Sequence, residues 1–149
     1  MKNKKGITLI AVVITVVVLI IVAGITITTS TNTFENSQVI QFETYMKMLQ
    51  KKVDIALEEG KDYTTLGSAL TGVQKATLQN IIDNDSNNYI ETNDTSEEKL
   101  RYFSTSDIEN IFDISDVNDD IVINFSNREV ISLNGVKKDG VMHYVEKGL

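Results

Sequence analysis

Oxygen-bearing side chains are where chemistry would first be sought in this sequence. Asp83-Asn84-Asp85-Ser86-Asn87 alternates carboxylate, amide and hydroxyl groups in the manner of a calcium loop. The pattern then departs from that loop: Asn88 stands at the place of the turn glycine, and the twelfth position is Asp94 rather than glutamate. Asp116-Val117-Asn118-Asp119-Asp120 opens in a similar way and has no completion. A solvated acidic loop accounts for both stretches, so neither a metal nor a cofactor is expected. His143 is the sole histidine and cysteine is absent, which removes the usual parts of a zinc site or a nucleophile–histidine–acid triad. There is no glycine-rich phosphate loop. The chain is expected not to be an enzyme.

The elements around these residues read as helix first and strand last. Val39, Phe42, Met46, Leu49, Val53 and Ala56 alternate spacings of three and four, which puts them on one face of a helix. Gly60 supplies its stop. Residues 64–82 read as a second, weaker helix interrupted by Gly67 and Gly72. Residues 83–98 are polar and acidic and read as a surface loop. Leu100, Tyr102 and Phe103 suggest a short strand, and Ser106 to Glu109 matches a capping box. Residues 120–125 and 129–133 then predict two strands of an antiparallel meander. The turns Asn134-Gly135 and Asp139-Gly140 lead into further strands from Val136 and from Val141 to Val145.

The opposite end has no charge between Lys5 and Glu35. The apolar run from Ile7 to Ile27 would be roughly 31 Å long as a helix, the length of a bilayer core. Lys2, Lys4 and Lys5 precede it, which predicts a cytoplasmic N-terminus and a C-terminal part delivered outside. Val22-Ala23-Gly24 also resembles a signal-peptidase site, so a secreted domain cut near Gly24 is a rival expectation. The whole chain carries 14 Lys and Arg against 21 Asp and Glu, net −7. Such an acidic surface repels phosphate backbones, and nucleic acid is not expected as a ligand. The absence of cysteine excludes a disulfide staple. The richness in lysine, asparagine and isoleucine suggests a low-GC Gram-positive bacterium.

Lys4-Lys5-Gly6-Ile7-Thr8-Leu9-Ile10, followed by the long apolar run, resembles the start of type IV prepilins and of type II secretion pseudopilins. The resemblance implies cleavage between Gly6 and Ile7 by a prepilin peptidase, with N-methylation of Ile7 and with Lys2, Lys4 and Lys5 as the leader charges. Ala11 stands where most of that family carry glutamate. It implies an α+β fold: a long N-terminal helix, with a transmembrane half and an amphipathic half, packed on a small C-terminal antiparallel sheet. The implied organisation is a basic leader over residues 1–6, a transmembrane or filament-core helix over 7–31, and an extracytoplasmic globular domain over 32–149. The implied function is a structural subunit of a pilus-like or pseudopilus filament, single-pass in the cell membrane before assembly and extracellular in the filament. Its implied partners are other pilin-like subunits, an assembly platform, an ATPase and the membrane itself. The alternative is a signal-anchored or secreted binding protein that does not polymerise.

Overall fold

The computed structural model describes residues 4–91, 96 and 99–149, without the side chains of residues 4–11, 21–32 and Tyr63. Its elements run in the order α1 (Lys4–Glu58), a 3-10 turn (Tyr63–Thr65), β1 (Ser68–Ala69), α2 (Gly72–Asn84), β2 (Leu100–Phe103), α3 (Thr105–Phe112), β3 (Ile121–Asn124), β4 (Glu129–Ser132), β5 (Val136–Lys138) and β6 (Val141–His143). Contacts group the chain into two units, residues 1–37 and residues 38–149, with α1 contributing to both.

In the first unit, the described side chains of residues 12–20 expose about half of their surface or more. Valine, isoleucine and threonine are poor helix formers, yet the helix persists. Further on, Ser37 donates its hydroxyl to the Thr33 carbonyl at 3.0 Å, and in the second unit Thr44 donates to Ile40 at 2.8 Å; back-bonds of this kind slightly weaken and tend to bend a helix. The expected transmembrane half over residues 7–31 is corrected here. Among the described residues no helix is long and apolar enough to cross a membrane.

In the second unit, β1-β2-β3-β4 form one antiparallel sheet in that order, and β5-β6 form a separate two-stranded sheet. The expected fold is corrected in this respect too. The strands do not make a single C-terminal meander, because β1 and β2 come from the middle of the chain and β5-β6 leave the main sheet. Strand β3 is buried on both faces, so its side chains divide by parity. Ile121 and Ile123 join Met46, Leu49 and Val53 of α1, Ile108 and Phe112 of α3, Phe103 and Val130. Val122 joins Leu78 and Ile81 of α2, together with Leu100, Ile131 and Val145. An uninterrupted apolar run such as Ile121-Val122-Ile123 is what a doubly covered strand requires.

Helix α1 ends in paired bonds, Lys61 N–H to Ala56 O at 3.1 Å and Gly60 N–H to Leu57 O at 3.0 Å, with Gly60 at φ +73°. This is the glycine stop expected from the sequence. The weaker helix expected over 64–82 is shorter, because Gly67 takes φ +60° and packs so close to β2 that a Cβ there would lie 2.5 Å from the Tyr102 carbonyl. Arg101 fixes this loop by donating to the Leu66 and Gly67 carbonyls, both at 2.9 Å. Helix α2 starts instead at a capping box of Thr71 and Gln74. The box expected at Ser106 and Glu109 is formed two residues earlier by Ser104 and Asp107.

Glu129 ties a distant segment to the sheet. Its carboxylate accepts the Glu91 N–H at 3.2 and 3.0 Å through its two oxygens. Burial nevertheless pushes its acid up to about 7, with the Glu91 charge adding to the shift, while the bonds from Glu91 and Asn127 and the Lys147 charge oppose it. The protonated form is therefore favoured by folding. Its contribution is fully present below the ordinary pKa of 4.5 and is lost as pH rises through about 7.

Leu49→Ala and Ile81→Ala empty opposite sides of β3, and each is expected to cost about 2–5 kcal/mol in urea unfolding. Val73→Ala, on the exposed side of α2, is expected to stay within about 0.5 kcal/mol. Equal small effects for all three would show that the two cores are wrongly assigned. Glu129→Gln keeps an acceptor for Glu91 and removes the charge. It is expected to stabilise by about 1 kcal/mol at pH 8, a discounted value because Glu129 is only partly buried, and to be neutral near pH 4.5. Thermal unfolding of both proteins across that range checks the sign.

Candidate functional site

A groove of about 710 Å³ runs beside α1 within residues 38–149, inside the range of ligand-binding clefts. Phe42, Tyr45 and Met48 of α1 line one side. They follow from the same helix that builds the core. Met46, Leu49 and Val53 point into the core, and each residue is about 100° around the helix from its neighbour, so Tyr45 and Met48 fall on the adjoining face. The other side is made by residues 114–119 and 134–137, with Ile114, Val117 and Val136 as its apolar part. Ile40 and Met48, both on the groove, are 62% and 45% exposed.

A polar corner closes one part of the groove. Ser132 donates its hydroxyl to Asp119, whose other oxygen accepts the Asn134 N–H at 3.2 Å. The Ser132 oxygen in turn accepts the Gly135 N–H at 2.6 Å, and the Asn134 amide donates to the Asn118 carbonyl at 3.3 Å. Asp120 accepts from the Tyr102 hydroxyl at 2.7 Å and from the Thr105 N–H at 3.3 Å. Burial raises the Asp119 acid above the usual carboxylate range, partly offset by the bonds from Ser132 and Asn134. The Tyr102 phenol is pushed up to about 12, first by burial and then by Asp120. Burial also raises the Tyr45 phenol strongly, and the charges of Asp119 and Asp120 add to it. The Tyr45 hydroxyl oxygen is enclosed and has no hydrogen-bond partner among the described residues.

Ser132 beside Asp119 does not make a nucleophile. The serine is fully buried, and its hydroxyl is committed both as donor and as acceptor in holding the turn after β4. His143 is buried and stacks on Tyr89 at 5.9 Å between ring centres, with no partner for Nδ1 among the described residues. The calcium-like stretches are also used structurally. Asp83 accepts from Gln79 at 2.8 Å, and Asp85 caps α2 while accepting the Ile90 N–H at 2.7 Å. Asp94 lies outside the described residues. Among the described residues no three His, Cys, Asp or Glu side chains gather to hold a metal ion. A smaller hollow of about 210 Å³ lies against α2, lined in part by Leu78, Ile82 and Leu100.

The site residues expected from the sequence are not in the groove. Lys4, Lys5, Gly6, Ile7 and Ala11 fall within α1, in the first unit, and Lys2 lies outside the described residues. The sequence reading did not single out Tyr45 or Met48, and met Asp119 only within the incomplete calcium-like stretch over residues 116–120. The available signal was the exposed apolar Ile40 and Met48, which lie off the core stripe of the helix.

No family model matches the chain, and no curated protein and no solved structure matches it. The resemblance to type IV prepilins and type II secretion pseudopilins is therefore corrected: a few leader residues carried it, and nothing over the rest of the chain sustains it. The filament-subunit function built on that resemblance is set aside with it. The single-pass placement in a cell membrane, with its signal-anchored variant, is corrected as well, because among the described residues no helix is long and apolar enough to cross a membrane.

Proposed function

We propose that residues 38–149 form a non-catalytic binding domain that takes a segment of another polypeptide into the groove beside α1. The observation that carries this reading is the groove itself: a concave, partly apolar surface with Ile40 and Met48 left open to water on one rigid helix. Methionine adapts to differently shaped apolar side chains, and helix-walled grooves are a recurrent way of seating peptide segments. The side-chain amides of Gln38 and Gln41 line the groove beside its apolar part and offer hydrogen bonds to a bound main chain. Residues 38–149 carry 11 Lys and Arg against 20 Asp and Glu, net −9, which supports a polypeptide partner over a nucleic acid.

Panning a random dodecapeptide display library on the full-length protein tests this reading. Enriched peptides are expected to lose at least tenfold in affinity for Met48→Asp and for Ile40→Asp, whose side chains are exposed and whose replacement leaves the core intact. Peptides that bind both variants as well as the parent protein, or no enrichment at all, would overturn it.

A further inference from the structure

Asn134-Gly135 is the one Asn-Gly pair in the sequence, and the turn after β4 has a use for each residue. Gly135 takes φ +67°, and a Cβ there would lie 2.7 Å from the Tyr144 ring and 2.8 Å from the His143 carbonyl, so a larger residue does not fit. Asn134 is exposed and is tied at both ends. Its N–H donates to Asp119 at 3.2 Å, and its side-chain amide donates to the Asn118 carbonyl at 3.3 Å. An aspartate could not make the second bond, because a carboxylate only accepts. The pair that suits the turn also carries a chemical weakness. A glycine nitrogen has no side chain of its own to shield it, and it can attack the Cγ of a preceding asparagine.

In that reaction the Gly135 nitrogen gives up its proton to water or hydroxide, bonds to the Asn134 Cγ and expels ammonia, leaving a cyclic succinimide. Water then opens either carbonyl of the ring. Position 134 becomes aspartate or isoaspartate, and the net change is the exchange of an amide and a water for a carboxylic acid and ammonia. The native bonds oppose the first step. Gly135 N–H donates to the Ser132 Oγ at 2.6 Å, Ser132 is fully buried, and its own hydroxyl is held by Asp119. Ring closure has to break the Gly135–Ser132 bond and free the Asn134 side chain from Asn118. We propose that Asn134-Gly135 is a deamidation site held in check by the Asp119–Ser132–Gly135 hydrogen bonds, and that its conversion loosens the side of the groove to which it belongs. The new carboxylate has no proton to give the Asn118 carbonyl, and it adds a negative charge next to Asp119. Isoaspartate also lengthens the main chain by a methylene. Asn118, Asp119, Asn134 and Gly135 all line the groove, so conversion changes its polar side whatever the groove takes.

The test follows position 134 by peptide mapping and mass spectrometry while the full-length protein stands at mildly alkaline pH. The native protein is expected to convert at least tenfold more slowly than the same protein in urea. Ser132→Ala removes the acceptor of the Gly135 N–H and, with circular dichroism showing it folded, is expected to convert at least fivefold faster than the parent. Asp119→Ala frees both the Ser132 hydroxyl and the Asn134 N–H from a residue that is only partly buried. It is expected to act in the same direction, and it carries the comparison if Ser132→Ala does not fold. Asn134→Asp, made directly, is expected to speed hydrogen exchange at least threefold at the Gly135 amide and at Leu133, whose N–H donates to the Asp120 carbonyl at 2.9 Å. Equal conversion in buffer and in urea, or folded variants that convert no faster than the parent, would overturn the protection. Unchanged exchange in Asn134→Asp would overturn the loosening of the groove.

Discussion

The folded unit of residues 38–149 depends on covering both faces of β3. A strand of Ile121, Val122 and Ile123, all fully buried, leaves neither face to water. Everything else in the unit can be understood as a cover for one side or the other. Helices α1 and α3 serve Ile121 and Ile123, while α2 and Val145 serve Val122. The hydrogen-bond ladders to β2 and β4 fix the register. A shift of either neighbour by one residue would turn a buried isoleucine toward the wrong helix. Arg101, bound to two carbonyls of the loop before β1, and Gln50, which donates to the Arg128 carbonyl at 2.6 Å, hold the outer elements to that register.

The sequence made the local structure of this unit legible where one physical signal dominated. The three-and-four spacing of Val39 to Ala56 fell on the buried face of α1, and the apolar run from Ile121 fell on β3. The partition of that run was not legible, since burial on one face or two gives the same letters. Nothing in the letters shows that Val122 and Ile131 pack with α2, while Ile121 and Ile123 pack with α1. The break between the 3-10 turn and α2 was hidden as well. It depends on the contact of Gly67 with the Tyr102 carbonyl, thirty-five positions away in sequence. The N-terminal segment shows the opposite error. A strong compositional pattern and a short leader motif were read as a whole architecture, and neither the described helix nor any known family sustains it.

The groove was illegible for a further reason. One side comes from a helix and the other from residues 114–119 and 134–137, two stretches joined by hydrogen bonds among Asn118, Asp119, Ser132, Asn134 and Gly135. In sequence Asp116 and Asp119 looked like an unfinished calcium loop, and Ser132 like the end of a strand. Folding turns Asp119 and Ser132 into a brace for the turn after β4, while Asp116 and Asp119 both line the groove. The acidic pattern was real, but its organisation around Tyr45 belongs to tertiary structure.

Helix α1 offers its two neighbouring faces to different demands. Met46, Leu49 and Val53 are confined by a close-packed interior, where a change of one methylene is felt. Ile40, Gln41, Thr44 and Met48, on the adjoining face of the same helix, are open to solvent. Divergence can therefore rewrite what the groove accepts without disturbing the interior that holds it in shape. Among descendants of one ancestral domain, the buried stripe would stay fixed in size while the adjoining stripe drifts with each lineage's partner. Selection for foldedness and selection for recognition act here on alternate residues of a single helix.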